Sequence, residues 1–264
     1  MIIPFYKYQG AGNDFIIIDN REKSYLNPND QALIERLCDR RFGIGADGLI
    51  LLNNLEGYDF EMVYFNADGQ GSSMCGNGGR CIVAFAKHLG IIDKQCTFLA
   101  IDGPHEAIIE ATDWVELKMT DVQQIEIGEN YYYLDTGSPH YVLFKDTLSD
   151  LDVVKEGRSI RYSDRFKKVG TNVNFVETNS KGIAVATYER GVEDETLACG
   201  TGVTACAIAH YLKHNKSIEP KVEIQAKGGQ LKVRFESVGT GFTNIWLCGP
   251  AQLVFKGEIE LNKA

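Results

Sequence analysis

One short pattern occurs twice in this sequence. Met74-Cys75-Gly76-Asn77-Gly78 leads through a glycine-rich entry into an apolar helix expected over Ile82–Leu89, and Ala198-Cys199-Gly200-Thr201-Gly202 leads into a second, Val203–Leu212. The two cysteines stand 124 positions apart. Their surroundings keep the same order. Tyr64 and Tyr188 each precede their cysteine by eleven positions, and Gly103 and Gly228 each open a strand-rich stretch after the helix. Asp14-Phe15-Ile16-Ile17 has a counterpart in His140-Tyr141-Val142-Leu143. Self-similarity at a fixed offset restricts the fold to two copies of one mixed α and β unit. At roughly 100–200 residues per domain, 264 residues hold both copies.

Periodicity fills in the first copy. Asp14–Asp19 is an apolar run of strand length, and Asn29–Arg41 carries Leu33, Ile34, Leu37 and Cys38 at helical spacing behind an Asn29 or Asp30 cap. Leu49–Leu52 is expected as a buried strand, Phe60–Phe65 alternates, and Asn66-Ala67-Asp68-Gly69 has turn chemistry. Strands are expected again at Ala107–Glu110 and Trp114–Met119. The polar stretch Thr120–Glu129 sets the expected boundary, giving domains 1–120 and 121–264, with a final strand over 252–264 able to pack back onto the first.

Charge and cysteine usage narrow the chemistry. Against 27 Lys and Arg stand 36 Asp and Glu, a net charge of −9. That balance opposes binding to nucleic acid or to an anionic membrane surface and favours a small-molecule substrate. No secretory leader and no run of about 18 apolar residues is present, so the cytoplasm is the expected compartment and its seven cysteines should be free thiols. An odd count without C-x-x-C spacing fits neither a disulfide framework nor a zinc cage.

A thiol just before a helix N-terminus sits beside unpaired backbone N–H groups at the positive end of the dipole, which favours thiolate. The glycines that follow let a ligand approach the backbone, and the same N–H groups can grip a carboxylate. Two such units could present Cys75 and Cys199 to one substrate carbon, one removing a proton and the other delivering one. Two structural turns, or a redox module with a reversible Cys75–Cys199 disulfide, are the alternatives. Cys38, Cys81, Cys96, Cys206 and Cys248 lie in apolar contexts and are expected as packing residues. Gly43-Ile44-Gly45-Ala46-Asp47-Gly48 matches G-x-G-x-x-G, but a helix precedes it and a strand follows, the reverse of a dinucleotide site. His210 and His214, near a helix end, are expected to complement the dipole rather than bind metal. Glu189-Arg190 could hold a carboxylate and an ammonium group together, whereas the amides of Gly12-Asn13 and Asn172–Asn174 suit turns.

These residues resemble one family, the diaminopimelate epimerases of lysine and peptidoglycan synthesis. The motifs are Gly10-Ala11-Gly12-Asn13-Asp14-Phe15, Gly45–Gly48, Phe65–Gly69, Cys75–Cys81, Gly137-Ser138-Pro139-His140, Thr171–Phe175, Tyr188–Gly191 and Ala198–Gly202. The resemblance implies an α+β fold of two pseudo-symmetric domains, each a mixed β-barrel-like sheet around a central helix, usually assembled as a homodimer. It implies conversion of LL- to meso-diaminopimelate without cofactor or metal, with a racemase of another amino acid, such as proline or histidine, as the rival on the same scaffold. Cys75 and Cys199 would be the acid–base pair, supported by His140 and Glu189. Gly76, Asn77, Gly200 and Thr201 would grip the reacting carboxylate, and Asn13, Asn66, Asn172, Glu189 and Arg190 would read the distal end. Gly48 and Ser138 depart from the Gln and Asn of well-known members, and the turn Gly191–Glu195 is one residue longer than the commonest form.

Overall fold

The computed structural model describes residues 1–72, 74–111 and 113–261. The chain divides into two compact units, Met1–Leu117 together with the chain from Pro250 onward, and Lys118–Gly249. The division falls three residues before the boundary drawn at 120, and the last segment joins the first unit because its strand pairs there. Residues 262–264 of that expected strand lie outside the described residues.

The first unit contains β1 (Ile2–Gly10), β2 (Asn13–Asp19), α1 (Gln31–Cys38), β3 (Gly48–Asn53), β4 (Phe60–Asn66), α2 (Gly76–His88), β5 (Gln95–Ala100), β6 (Gly103–Ala111) and β7 (Trp114–Lys118, whose last residue belongs to the second unit). The second contains β8 (Ile125–Ile127), β9 (Tyr131–Asp135), β10 (Pro139–Lys145), α3 (Val153–Arg161), β11 (Asn172–Asn179), β12 (Gly182–Glu189), β13 (Asp194–Thr196), α4 (Gly200–Lys213), β14 (Lys221–Ala226), β15 (Gly229–Val238) and β16 (Gly241–Pro250, whose last residue belongs to the first unit). The chain's last strand, β17 (Gln252–Glu260), returns to the first unit.

Both units run through the same pairing pattern. In the first the order is β17-β1-β2-β3-β4-β5-β6-β7, with β2–β3 and β4–β5 parallel and the other pairs antiparallel. In the second it is β8-β9-β10-β11-β12-β14-β15-β16, with β10–β11 and β12–β14 parallel and the others antiparallel. Parallel neighbours require a crossover, and helices occupy all four: α1 and α2 in the first unit, α3 and α4 in the second. β17 therefore fills in one unit the place that β8 fills in the other. This is the α+β, two-copy arrangement expected from the duplication.

α2 and α4 are the central helices. α2 lies against β1, β2, β3, β6 and β17, and α4 against β9, β10, β11, β12, β14 and β15. A helix covered on every side must be apolar or small all round. Gly76–Ala86 of α2 are buried without a break, as are Gly202–Tyr211 of α4. Glycine permits the closest approach: a Cβ on Gly78 would stand 3.3 Å from the Ile50 side chain and 3.4 Å from Met62 and Phe15.

Three local differences from the sequence reading have physical causes. α1 is shorter than Asn29–Arg41, because Asp30 caps its start through Leu33 N–H while the Asp39 carboxylate captures the amides of Arg41 and Phe42. Such side-chain bonds compete with helix continuation. α2 begins at Gly76 rather than at Ile82, since burial offsets the roughly 1 kcal/mol that each glycine costs a helix. His210 is buried and its pKa is pushed down to about 4 by burial and the neighbouring His214 and Lys213, so it is neutral at pH 7 and does not complement the dipole as a cation.

α3, capped by Asp152, packs on β11 and β12 with Gly157 against Tyr188. A Cβ there would lie 2.6 Å from Tyr188 Cγ. Gly157→Val should therefore cost about 1–3 kcal/mol by overpacking, measured as a lower urea midpoint at unchanged slope.

Candidate active site

In the first unit the site is built on the start of α2. Cys75 is the residue before the helix, extended at φ −92° and ψ 129°, and its carbonyl accepts the Gly79 N–H at 2.7 Å. Its Sγ lies 3.6 Å from Asn13 Oδ1, at the start of β2. Two charged anchors determine which way the neighbouring amides face. Asp47 can only accept, and takes Asn13 Nδ2 at 2.7 Å, so Asn13 Oδ1 turns toward α2. Arg80 can only donate, and gives Nη2 to Asn77 Oδ1 at 2.8 Å, so Asn77 Nδ2 turns to Asn13 Oδ1 at 3.3 Å.

Both anchors are themselves held. Arg80 is completely buried and also donates to the Gly76 and Pro250 carbonyls. Asp47 accepts from Arg40 at 2.7 Å, and Arg40 spans Asp14 with two bonds of 2.6 and 3.0 Å. Lys7, buried, pairs with Asp14 at 2.6 Å and reaches the Gly45 carbonyl. Burial pushes the Asp14 carboxyl upward, but bonds from Arg40 and Lys7 outweigh it and hold the group well below the usual carboxylate range.

The second unit repeats the thiol placement with different partners. Cys199 precedes α4 at φ −103° and ψ 113°, and its carbonyl accepts Val203 N–H at 2.9 Å. Its Sγ is 3.5 Å from Thr201 Oγ1, which is 2.8 Å from His140 Nε2. His140 Nδ1 faces Asn174 Nδ2 at 3.1 Å. Burial, with the Arg190 charge adding to it, pushes the His140 pKa down to about 3, so the ring is neutral at pH 7. Glu189, at the end of β12, accepts from Thr196 at 2.8 Å and is within hydrogen-bond reach of Cys199. Burial raises its pKa against those two bonds.

A separate polar cluster sits nearby in the same unit. Asn172 donates to Ser138 Oγ at 3.0 Å and to the Pro139 carbonyl, and accepts Arg190 N–H at 2.9 Å. Arg190 Nη2 reaches Ser138 Oγ at 3.3 Å, and its Nη1 the Val169 carbonyl at 3.1 Å. Glu189, the last residue of β12, and Arg190, the first beyond it, thus take opposite roles. One contacts the thiol and the other the amide cluster.

The structure therefore groups Cys75, Gly76, Asn77 and Asn13 in one unit. In the other it groups Cys199, Gly200, Thr201, His140 and Glu189 beside Asn172, Ser138 and Arg190. Asn66 is exposed at the end of β4, where its carbonyl accepts Gly69 N–H. Gly48, at the start of β3, has no room for a side chain, because a Cβ would meet the Tyr64 ring and the Phe65 carbonyl at 2.6 Å. Ser138 bridges Asn172 and Arg190 in its own way, with a hydroxyl. Arg80, Asp47, Asn174 and Thr187 complete the two networks. The sequence signals only some of them: a charge within the buried run of α2, and Asn174 two positions from Asn172 and so on the same strand face.

The five other cysteines are at most 5% exposed. Burial pushes Cys38, Cys81 and Cys96 up to about 12 and Cys206 well above its ordinary value. Cys38, Cys81, Cys96, Cys206 and Cys248 should resist alkylation in the native protein and react only as it unfolds, checked by mass mapping across a urea series. His140 carries a pH signature of its own. Its folded pKa lies below the unfolded value of about 6.5, so the unfolded chain takes up a proton that the folded chain refuses. Stability is complete above that pH and falls as the pH drops toward 3. His140→Gln should flatten this slope in urea titrations.

A diaminopimelate epimerase family profile matches residues 5–125 and 132–254. The diaminopimelate epimerase of Flavobacterium psychrophilum is 55% identical over 258 residues, covering 97% of this chain and 100% of the relative. Among solved structures, a PhzF-family phenazine biosynthesis protein of Bacillus anthracis has a TM-score of 0.78 at 14% identity, covering 99% of this chain and 100% of its own. A probable proline racemase of Agrobacterium radiobacter K84 has a TM-score of 0.72 at 14% identity, covering 98% of this chain and 93% of its own. At that identity the two structures speak for the fold alone. The sequence match over nearly the whole length speaks for descent, and on it the chain belongs to the diaminopimelate epimerase family.

Proposed function

We propose that the chain interconverts LL- and meso-diaminopimelate by moving one α-proton between two thiols. The observation that carries this reading is the duplicated placement of Cys75 and Cys199, each directly before the first turn of a buried helix and each bonded to a neutral side chain. In the proposed step one sulfur, as thiolate, takes the α-hydrogen. The C–H bond breaks, an S–H bond forms, and the electron pair stays on the α-carbon, delocalised into its carboxylate. The other thiol then gives its proton to the opposite face of that carbon and becomes the thiolate. The sulfurs have exchanged protonation, so the same residues run the reverse reaction.

An amino-acid α-proton is far less acidic than a thiol, and electrostatic stabilisation must close that gap. The N–H groups of Gly76, Asn77, Gly200 and Thr201 are assigned to the reacting carboxylate, where charge grows at two helix N-termini. Glu189 can hold the Cys199 proton, its raised pKa suiting it to that part. Asn13, Asn66, Asn172 and Glu189 with Arg190 are assigned to the distal amino-acid end, where a guanidinium suits a carboxylate. We also take the working assembly to be a homodimer and the compartment to be the cytoplasm. All seven cysteines are free thiols, and among the described residues no helix is long and apolar enough to cross a membrane.

The test is deuterium incorporation from heavy water into LL-diaminopimelate, run beside proline and histidine with reductant present. Label and inversion are expected in diaminopimelate alone, and each of Cys75→Ala and Cys199→Ala should reduce both by at least about a hundredfold. Label in proline or histidine instead would favour a racemase, and near wild-type turnover in either variant would sink the two-thiol scheme.

A further inference from the structure

We propose that Asn174, anchored by Thr187, is a positioning residue that fixes the His140 tautomer and thereby aims the Thr201 hydroxyl proton at the Cys199 sulfur. The inference rests on the acid–base role proposed for Cys199. Each link follows from which atoms can donate. The Tyr141 carbonyl can only accept, and Asn174 Nδ2 contacts it at 3.3 Å, so the amide nitrogen of Asn174 faces β10. Its Oδ1 faces the other way and accepts the Thr187 hydroxyl at 3.0 Å. The same Nδ2 is 3.1 Å from His140 Nδ1, which must then be the bare, accepting nitrogen.

A neutral imidazole carries one proton, so it resides on Nε2. Nε2–H donates to Thr201 Oγ1 at 2.8 Å. The Thr201 hydroxyl, its oxygen engaged as acceptor, has its own proton directed to Cys199 Sγ at 3.5 Å. The run of donors Thr187, Asn174, His140, Thr201 thus ends on sulfur, where it favours thiolate. The charged and titratable groups facing it are Glu189 at the end of β12, Arg190 just beyond that strand, and Cys206 from α4 itself. None of them supplies or accepts a proton at His140 Nδ1.

The packing shows that the network is built in. Asn174 and His140 are completely buried, and Thr187 nearly so. Gly202, in the first turn of α4, makes room for them: a Cβ there would stand 2.6 Å from Asn174 Oδ1 and 3.3 Å from His140 Cε1. In the first unit Cys75 Sγ lies 3.6 Å from an acceptor, Asn13 Oδ1.

The experiment needs no substrate. In protein labelled with 15N-histidine, with His140 assigned by the loss of its resonances in His140→Gln, the wild type should show a protonated Nε2 and a bare Nδ1 near neutral pH. Asn174→Leu should lose that single tautomer, and Asn174→Asp, which accepts where Asn donates, should move the proton to Nδ1. In Asn174→Leu, alkylation of Cys199 relative to Cys75, read by mass spectrometry, should slow by roughly tenfold, the effect of losing one hydrogen bond to a charged group. Thr187→Val should shift both readouts the same way by less, and it serves where a change at Asn174 prevents folding. A wild-type His140 protonated at Nδ1 overturns the proposal, as does an unchanged tautomer and Cys199-to-Cys75 ratio in Asn174→Leu. Absence of deuterium in diaminopimelate with the expected wild-type tautomer would remove the epimerase reading and leave the positioning network standing.

Discussion

Enclosure of two helices on all sides governs this molecule. A helix whose N-terminal turn is to present bare N–H groups to a small anion must exclude water from its flanks, and α2 and α4 do so by burying every residue of their first two turns except Thr201, which is half-buried. Eight strands in one repeated order of parallel and antiparallel steps supply the cover in each unit. The glycines and alanines of the helices let those strands come close. The same glycines leave the backbone at each helix start approachable, so packing and ligand access have a common cause.

Around each thiol, polarity is set by groups that cannot reverse. Asp47 accepts and Arg80 donates, and between them the Asn13 and Asn77 amides have one orientation. In the second unit the Tyr141 carbonyl orients Asn174 and, through it, the His140 ring. An ionic group at one end of a chain of amides decides how an atom several residues away meets sulfur. The cost of burying Arg80 or Lys7 is met by these bonds, and the return is an unambiguous arrangement of neutral hydrogen-bonding groups.

The duplication was legible because it depends on local pattern: cysteine, small residues, then an apolar helix, at a fixed offset. The thiols, His140, Glu189 and Asn13 were legible from motif and resemblance for the same reason. Asp47 and Thr187 were not, because their roles come from contacts across 34 and 13 positions of sequence that no periodicity encodes. The start of α2 was misplaced by intrinsic propensity, which disfavours Gly76, Gly78 and Gly79 in a helix and takes no account of burial. The dipole role expected of His210 failed likewise, since a ring covered by its neighbours gives up its charge.

The return of β17 has a consequence for how the chain comes into being. The second unit is one unbroken stretch, Lys118–Gly249, whereas the first needs Ile2 paired with Glu260. On a ribosome the amino-terminal unit is begun first, yet it lacks its outermost strand until Gln252–Glu260 are made, while the later unit has all of its strands in hand earlier. The usual order, in which the first domain made is the first to fold, is inverted. β1 waits as an open edge until β17 is made, and closing it joins residues as far apart as Ile2 and Glu260. Pro4, Lys7 and the bulge between Lys7 and Tyr8 lie on that waiting strand, features that discourage a naked edge from pairing with strangers.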